Sequence, residues 1–191
     1  IQPDFGSGIV MISAIIIMSL MSKIKFKNFI YIGLLGVFAI AIMIISEPYR
    51  IERIIAYVDP FSDPLGSGFQ IIQSLYAIAP ASLFGYGLFN SKQKYFFLPE
   101  PANDFIYAII VEELGIFGGV AVIILYATLI HIGYKLSLSC KDLFAKYLSF
   151  GITSLLMIQV FINIAVVIGL IPVTGVTLPL MSYGGSSLVI N

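Results

Sequence analysis

Three groups of ionisable residues could do chemistry in this chain. Asp104 follows Pro99 and Pro101 and opens a long apolar run. A carboxylate there sits at a membrane–water boundary, where it could take a proton from a hydroxyl as general base. It could equally be a helix-start acid, with Asn103 as N-cap and Asp104 complementing the positive end of the dipole. Glu112 and Glu113 lie inside the same run. Intramembrane acids are costly and mark functional sites or tightly paired interior positions. Glu112 falls about 12 Å along a helix from Asp104 at the standard rise. It is about 80° round, against about 180° for Glu113, so Glu112 is the better candidate to share a cavity with Asp104.

The third group is basic. Arg50 and Arg53 are three residues apart, neighbours on a helical turn. Lys92 and Lys94 follow further along. Arg offers a bidentate fork to phosphate, although long cations near span ends also anchor at the interface by snorkelling. His131 is the lone histidine and has no Cys or second His at ligand spacing, so no zinc site is expected. No Gly-rich phosphate loop follows a strand. Nothing in the charge balance (10 basic, 10 acidic) suggests nucleic acid.

The elements that carry these residues follow from composition. Of 191 residues, 59 % are apolar and 10 % charged, and the mean hydropathy is +1.03. Soluble domains carry about a quarter charged residues. A soluble enzyme, a disordered tail and a disulfide scaffold are excluded, the last because Cys140 has no partner in the chain. The expected fold is an all-α polytopic membrane protein with spans at about 5–21, 29–46, 103–134, 148–170 and 177–191. The third exceeds what a perpendicular helix needs, so tilt or a protruding end is expected. The fifth starts irregularly, at Pro179 and Gly184-Gly185. The ends, at Ile1 and Asn191, read as cuts in a longer protein.

Between the second and third spans lies a charged loop, 47–102. Within it, 70–79 reads as a short helix on the membrane surface, with Ile71, Ile72, Leu75, Tyr76 and Ile78 at helical spacing and Gln73 and Ser74 between them. The short turns carry Lys23, Lys25 and Lys27, then Lys135, Lys141 and Lys146 against Asp142. Both are basic, which places them in the cytoplasm and the long loop outside. Around that loop, Arg50, Arg53, Lys92 and Lys94 face Glu47, Glu52, Asp59, Asp63, Glu100 and Asp104.

Specific strings carry the reading further. In order they are Gln2-Pro3-Asp4-Phe5-Gly6; Glu47-Pro48-Tyr49-Arg50; Asp59-Pro60-Phe61 with Asp63-Pro64-Leu65-Gly66-Ser67-Gly68-Phe69-Gln70; Gln73-Ser74; Ser91 and Gln93-Lys94; Leu98-Pro99-Glu100; Asp104-Phe105; Glu112-Glu113-Leu114-Gly115; Asn163; Pro172-Val173-Thr174-Gly175; Leu178-Pro179; and Ser182-Tyr183-Gly184-Gly185-Ser186-Ser187. With these strings the chain resembles the SEDS family of bacterial cell-wall polymerases (FtsW, RodA and SpoVE), most closely its FtsW/SpoVE branch.

The resemblance implies a helical bundle of about ten spans, of which this chain would be the second half and would supply about five. It implies a multi-pass protein of the bacterial plasma membrane. The implied activity is a peptidoglycan glycosyltransferase that polymerises lipid II in division, cell-shape or spore-wall synthesis, with this piece alone inactive. The implied catalytic residue is Asp104. Arg50, Arg53, Lys94, Glu100 and Glu112 are the substrate-binding candidates, and a divalent cation is a candidate cofactor. Implied partners are a class B penicillin-binding protein, a transpeptidase, and a division or elongation complex. Two alternatives stand beside the enzyme: a lipid II flippase and a non-catalytic divisome scaffold. The sequence departs from the family pattern at Ala102-Asn103, where the family has His-Thr. It departs again at Ala79-Pro80-Ala81-Ser82, where the family has a small, Gly-rich turn, and at Phe89, a family Gly. Replacing Gly restricts the backbone where the family leaves it free.

Overall fold

The computed structural model describes residues 5–21, 26–45, 48–66, 68–93 and 103–183. Among these residues every regular element is helical: α1 (Phe5–Met21), α2 (Phe26–Ile45), α3 (Pro48–Val58), a 3-10 turn (Pro60–Ser62), α4 (Phe69–Ile78), α5 (Ile106–Ser139) and α6 (Leu143–Val167). α5 and α6 form the central pair. α1 packs on α6, α4 on α5, and α2 on α1.

α6 begins where the Asp142 carboxylate accepts the Ala145 amide at 2.9 Å, so the helix takes in Lys146 and starts earlier than the apolar run suggests. It ends at a Schellman turn. Gly169 adopts φ +74°, its amide bonds Val166 O, and the Leu170 amide reaches Ala165 O at 2.7 Å. Pro172 lies just beyond. The α5–α6 seam is held by the Tyr134 hydroxyl against Ser154 Oγ (3.0 Å) and by Ser137 Oγ on Lys146 O (2.8 Å). At Gly133 a Cβ would lie 2.6 Å from Thr153 Oγ1, so the two backbones approach closely.

The excess length expected of the third span is taken up differently. α5 is not one tilted rod but two limbs joined at Gly115, whose φ +70° and ψ −167° are not helical. At Gly119 a Cβ would lie 2.8 Å from Val111 Cγ2 and 3.0 Å from the Tyr107 hydroxyl. In a straight helix those residues would be separated by about 12 and 18 Å along the axis. The first limb therefore folds back on the start of the second.

A break inside a long apolar helix leaves backbone groups that need partners elsewhere in the protein. The segment 82–87 supplies the partners. Tyr86 and Gly87 amides donate to Glu112 O (3.0 Å) and Glu113 O (2.9 Å), while Ile116 and Phe117 amides donate to Ser82 O (3.1 Å) and Leu83 O (3.4 Å).

The loop helix forms at Phe69–Ile78, but its buried face is Ile71, Ile72, Ser74 and Ala77, whereas Leu75 and Tyr76 are exposed. Ser74 belongs to that face because its hydroxyl donates to Val167 O at 2.7 Å. Beyond α6 the chain has no regular structure from 172 to 178 and turns at Pro179–Met181, with Leu180 at φ +68°. The rest of the expected fifth span, 184–191, lies outside the described residues.

Candidate active site

Asp104 lies in the turn Asn103–Phe105 that leads into α5. The N-cap is Phe105, and no side chain caps it, so Asn103 is not the helix cap the sequence suggested. The turn is fixed by Asn163, 1 % exposed on the last turns of α6. Its amide nitrogen donates to Asp104 O and to Val176 O, both at 2.7 Å. Ser182 Oγ donates to Asn103 O at 2.5 Å and accepts the Leu178 amide at 2.8 Å. The Tyr126 hydroxyl, on the second limb of α5, donates to Pro179 O.

The segment 172–183 is thereby pinned over the acid. Gly175 has φ +75°, and a Cβ there would lie 3.9 Å from Asp104 Oδ2. Glycine meets the left-handed φ. At Gly6 of α1 a Cβ would fall 2.6 Å from Thr174 O, so α1 closes the same segment from another side.

Arg53 reaches this segment too: its Nη1 donates to Val173 O at 3.0 Å. The structure therefore brings Arg53 and Asp104 to one stretch, 173–176. Arg50 lies on α3 one turn earlier, and its side chain is outside the described residues, as are Lys94 and Glu100.

Glu112 is 2 % exposed and engaged. Ser91 Oγ donates to its Oε2 at 2.5 Å, and the Lys92 and Gln93 amides donate to its Oε1 at 2.9 and 3.3 Å. A carboxylate accepting successive amides makes charge-assisted hydrogen bonds, which are stronger than neutral ones. Glu112 thus holds the loop at 91–93. Glu113 is 8 % exposed, and its Oε1 is buried with no hydrogen-bond partner among the described residues. Lys92 is exposed, with Nζ 5.7 Å from the centre of the Tyr86 ring. His131 is exposed on α5.

Among the described residues no group of three or more His, Cys, Asp or Glu converges. One carboxylate in the turn suits a cation held mainly by phosphate and water, as Mg²⁺ often is, rather than by a protein cage.

Asn163 and Ser182 entered the sequence reading only as family strings, without a site role. Asn163 had a signal of its own, an amide within a 25-residue apolar helix. A polar group there must have found partners in the bundle. Ser182 carried no comparable signal.

The helical bundle, the long apolar helices and the loop tied back onto a broken helix define a polytopic membrane protein built around an acid in a fixed turn. The chain belongs to the FtsW/RodA/SpoVE family of cell cycle proteins, whose family model matches residues 1–191. It is 51 % identical over 189 residues to stage V sporulation protein E of Bacillus subtilis (strain 168), covering 99 % of this chain and 52 % of that protein. It is 44 % identical over 196 residues to a probable peptidoglycan glycosyltransferase FtsW of Marinobacter nauticus, covering 100 % and 49 %.

A chain from a structure described as "structural coordination of polymerization and crosslinking by a peptidoglycan synthase complex" superposes with a TM-score of 0.71 at 34 % identity. That match covers 98 % of this chain and 52 % of the other. The chain spans about half the length of the curated relatives it matches.

Proposed function

We propose that this chain is the part of a peptidoglycan glycosyltransferase that carries the general base, and that the complete protein polymerises lipid II. A sugar hydroxyl of the acceptor attacks the anomeric carbon of the donor. The new glycosidic C–O bond forms as the bond from that carbon to the diphosphate oxygen breaks. The hydroxyl proton passes to the Asp104 carboxylate, and the lipid diphosphate leaves with the electron pair. The observation that carries this reading is the Asp104 turn. Its carbonyl is clamped by Asn163, so the turn that carries the acid is held rather than left on a mobile loop.

Cations must balance the departing diphosphate. Arg53, on α3 and bonded to the 173–176 stretch, is one candidate, and Arg50 and Lys94 are the others. Glu100 is assigned to orienting substrate. Glu112 serves substrate binding through the loop, by fixing Ser91–Gln93, which leads directly into Lys94. The loop faces the outside of the cell, and the partner is a class B penicillin-binding protein. The relative solved as part of a peptidoglycan synthase complex supports that partner.

In a version carrying the missing half, Asp104→Asn should insert and accumulate normally. It should polymerise purified lipid II about 10²–10⁴-fold more slowly, the usual range for loss of a general base. Near-normal polymerisation would leave Asp104 a structural residue. A lipid II flippase is the second reading. Its supports are the break at Gly115 and the buried Oε1 of Glu113, because broken helices and interior acids line transport paths. Lipid translocation that persists in Asp104→Asn while polymer is absent would favour it.

A further inference from the structure

The geometry points to segment 83–89 as a membrane-inserted loop, whose side chains contact the acyl chains of the bilayer beside the break in α5. This rests on the membrane character of the family and not on the catalytic reading. Five of its seven residues are large, apolar or aromatic, and exposed: Leu83 (52 %), Phe84 (77 %), Tyr86 (43 %), Leu88 (61 %) and Phe89 (73 %). The other two are Gly85 and Gly87, and no charge occurs from Ser82 to Ser91. A protein surface in water rarely shows so continuous an apolar strip.

Two observations identify what covers it. The first is continuity with a surface built for lipid. The Phe84 ring lies 5.4 Å from that of Phe117, which is 58 % exposed near the start of the second limb of α5. The exposed face then continues along that limb through Val120, Ile124 and Leu125. The loop widens the apolar flank of a helix long and apolar enough to span a bilayer.

The second is backbone satisfaction. Irregular chain at membrane depth is tolerated where its polar groups are paired within the protein. Amides of Gly85, Tyr86 and Gly87 are donated to Ala81 O, Glu112 O and Glu113 O. Carbonyls of Ser82, Leu83 and Gly87 accept from Ile116, Phe117 and Asn90 amides, and the Tyr86 carbonyl accepts from Asn90 Nδ2 at 3.2 Å. With those groups turned inward, the side chains face out. Lys92 sets the depth: its ammonium lies over Tyr86, an aromatic–cation pair suited to the headgroup level.

The chain has no tryptophan, which makes the test direct. In a version carrying the missing half, Phe84→Trp, Phe89→Trp and, as an aqueous control, Leu65→Trp (88 % exposed beside Asp63) are placed in nanodiscs. The phosphatidylcholine is brominated on the acyl chain near the headgroup. Difference spectra against the parent remove any background, and thermal unfolding confirms that each variant folds. A side chain seated about 5–10 Å into the headgroup–acyl boundary should be quenched about twofold or more by the brominated lipid and little by iodide. Leu65→Trp should show the reverse. Quenching of both loop positions by iodide would put the loop in water and overturn the proposal. Quenching by neither reagent would mean that protein covers the strip, which overturns it equally.

Discussion

Gly115→Ala tests whether the bend in α5 depends on one backbone position. At φ +70° and ψ −167° the residue occupies a region that is essentially glycine's alone. Any other residue there costs about 1–3 kcal/mol. A Cβ would also fall 2.3 Å from Leu83 O, 2.4 Å from Leu83 C and 2.5 Å from Gly85 N, all main chain. No side chain can turn aside to relieve this. A straight helix is the available alternative, because Ile116 and Phe117 amides would regain partners within α5. The backbone strain alone then moves the balance from bent to straight by about fivefold to a hundredfold.

Straightening would take the carbonyls of Glu112 and Glu113 away from Tyr86 and Gly87. Amide exchange at Tyr86 and Gly87, measured by mass spectrometry in nanodiscs, should therefore accelerate by about ten- to a hundredfold, while total helicity by circular dichroism holds or rises. Gly33→Ala is the control. It lies mid-α2 with nothing within 4 Å of its Cβ position, and should be neutral or stabilising by about 0.5–1 kcal/mol. Unchanged protection at Tyr86 and Gly87 in Gly115→Ala would refute the reasoning.

Ser82→Gly should stabilise. Ser82 sits at φ +52°, and relief of about 1–2 kcal/mol of left-handed strain exceeds the roughly 0.5–1 kcal/mol entropic cost of glycine, so thermal unfolding should shift up. Asn163→Leu leaves the Asp104 and Val176 carbonyls without their donor, at about 1–3 kcal/mol each. Unfolding in detergent should fall accordingly, and an unchanged midpoint would show that the clamp contributes nothing. Glu112→Gln retains an acceptor for the Lys92 and Gln93 amides and can donate to Ser91, so it should stay within about 1 kcal/mol of the parent. Glu112→Ala strands three donors and should lose at least about 3 kcal/mol, with protease nicking near 91–93 as the readout.

What the sequence made legible follows from periodicity and cost. Apolar runs place α1, α2, α5 and α6 because length and hydropathy suffice for that. α4 was legible for the same reason, but the role of Ser74 was not. A hydroxyl that caps a helix end forms its bond with a residue 93 positions away. The break at Gly115 was hidden because apolar residues continue across it with no proline, and a glycine's φ cannot be read from its neighbours.

Glu112 stood out as an expensive residue, and the expense was real. Its use could not be read, since its partners come from a loop 19 to 21 residues away. The family substitutions at Ser82 and Phe89 carried more information than their type suggested. Both residues adopt left-handed φ, +52° and +64°, and so keep a glycine-like backbone without glycine.

The C-terminal end of α6 bears on how readily the loop can lift. Ser74, Tyr57 and Arg53 donate to the carbonyls of Val167, Leu170 and Val173, so three side chains from two loop helices grip one helix terminus and the chain just beyond it. At a net of about 0.5–1.5 kcal/mol each, releasing all three together costs about 1.5–4.5 kcal/mol. Those three contacts alone cut the fraction of molecules with the loop lifted by about tenfold to two-thousandfold, on top of what the bonds at 82–87 and 91–93 contribute. A ligand that enters only past a lifted loop would have its apparent affinity weakened by that same fraction. A ligand that slides in sideways between helices, from within the bilayer, would suffer no such loss. The two routes therefore differ in a measurable way: weakening the Tyr57 or Ser74 contact should tighten binding by the first route and leave the second unchanged.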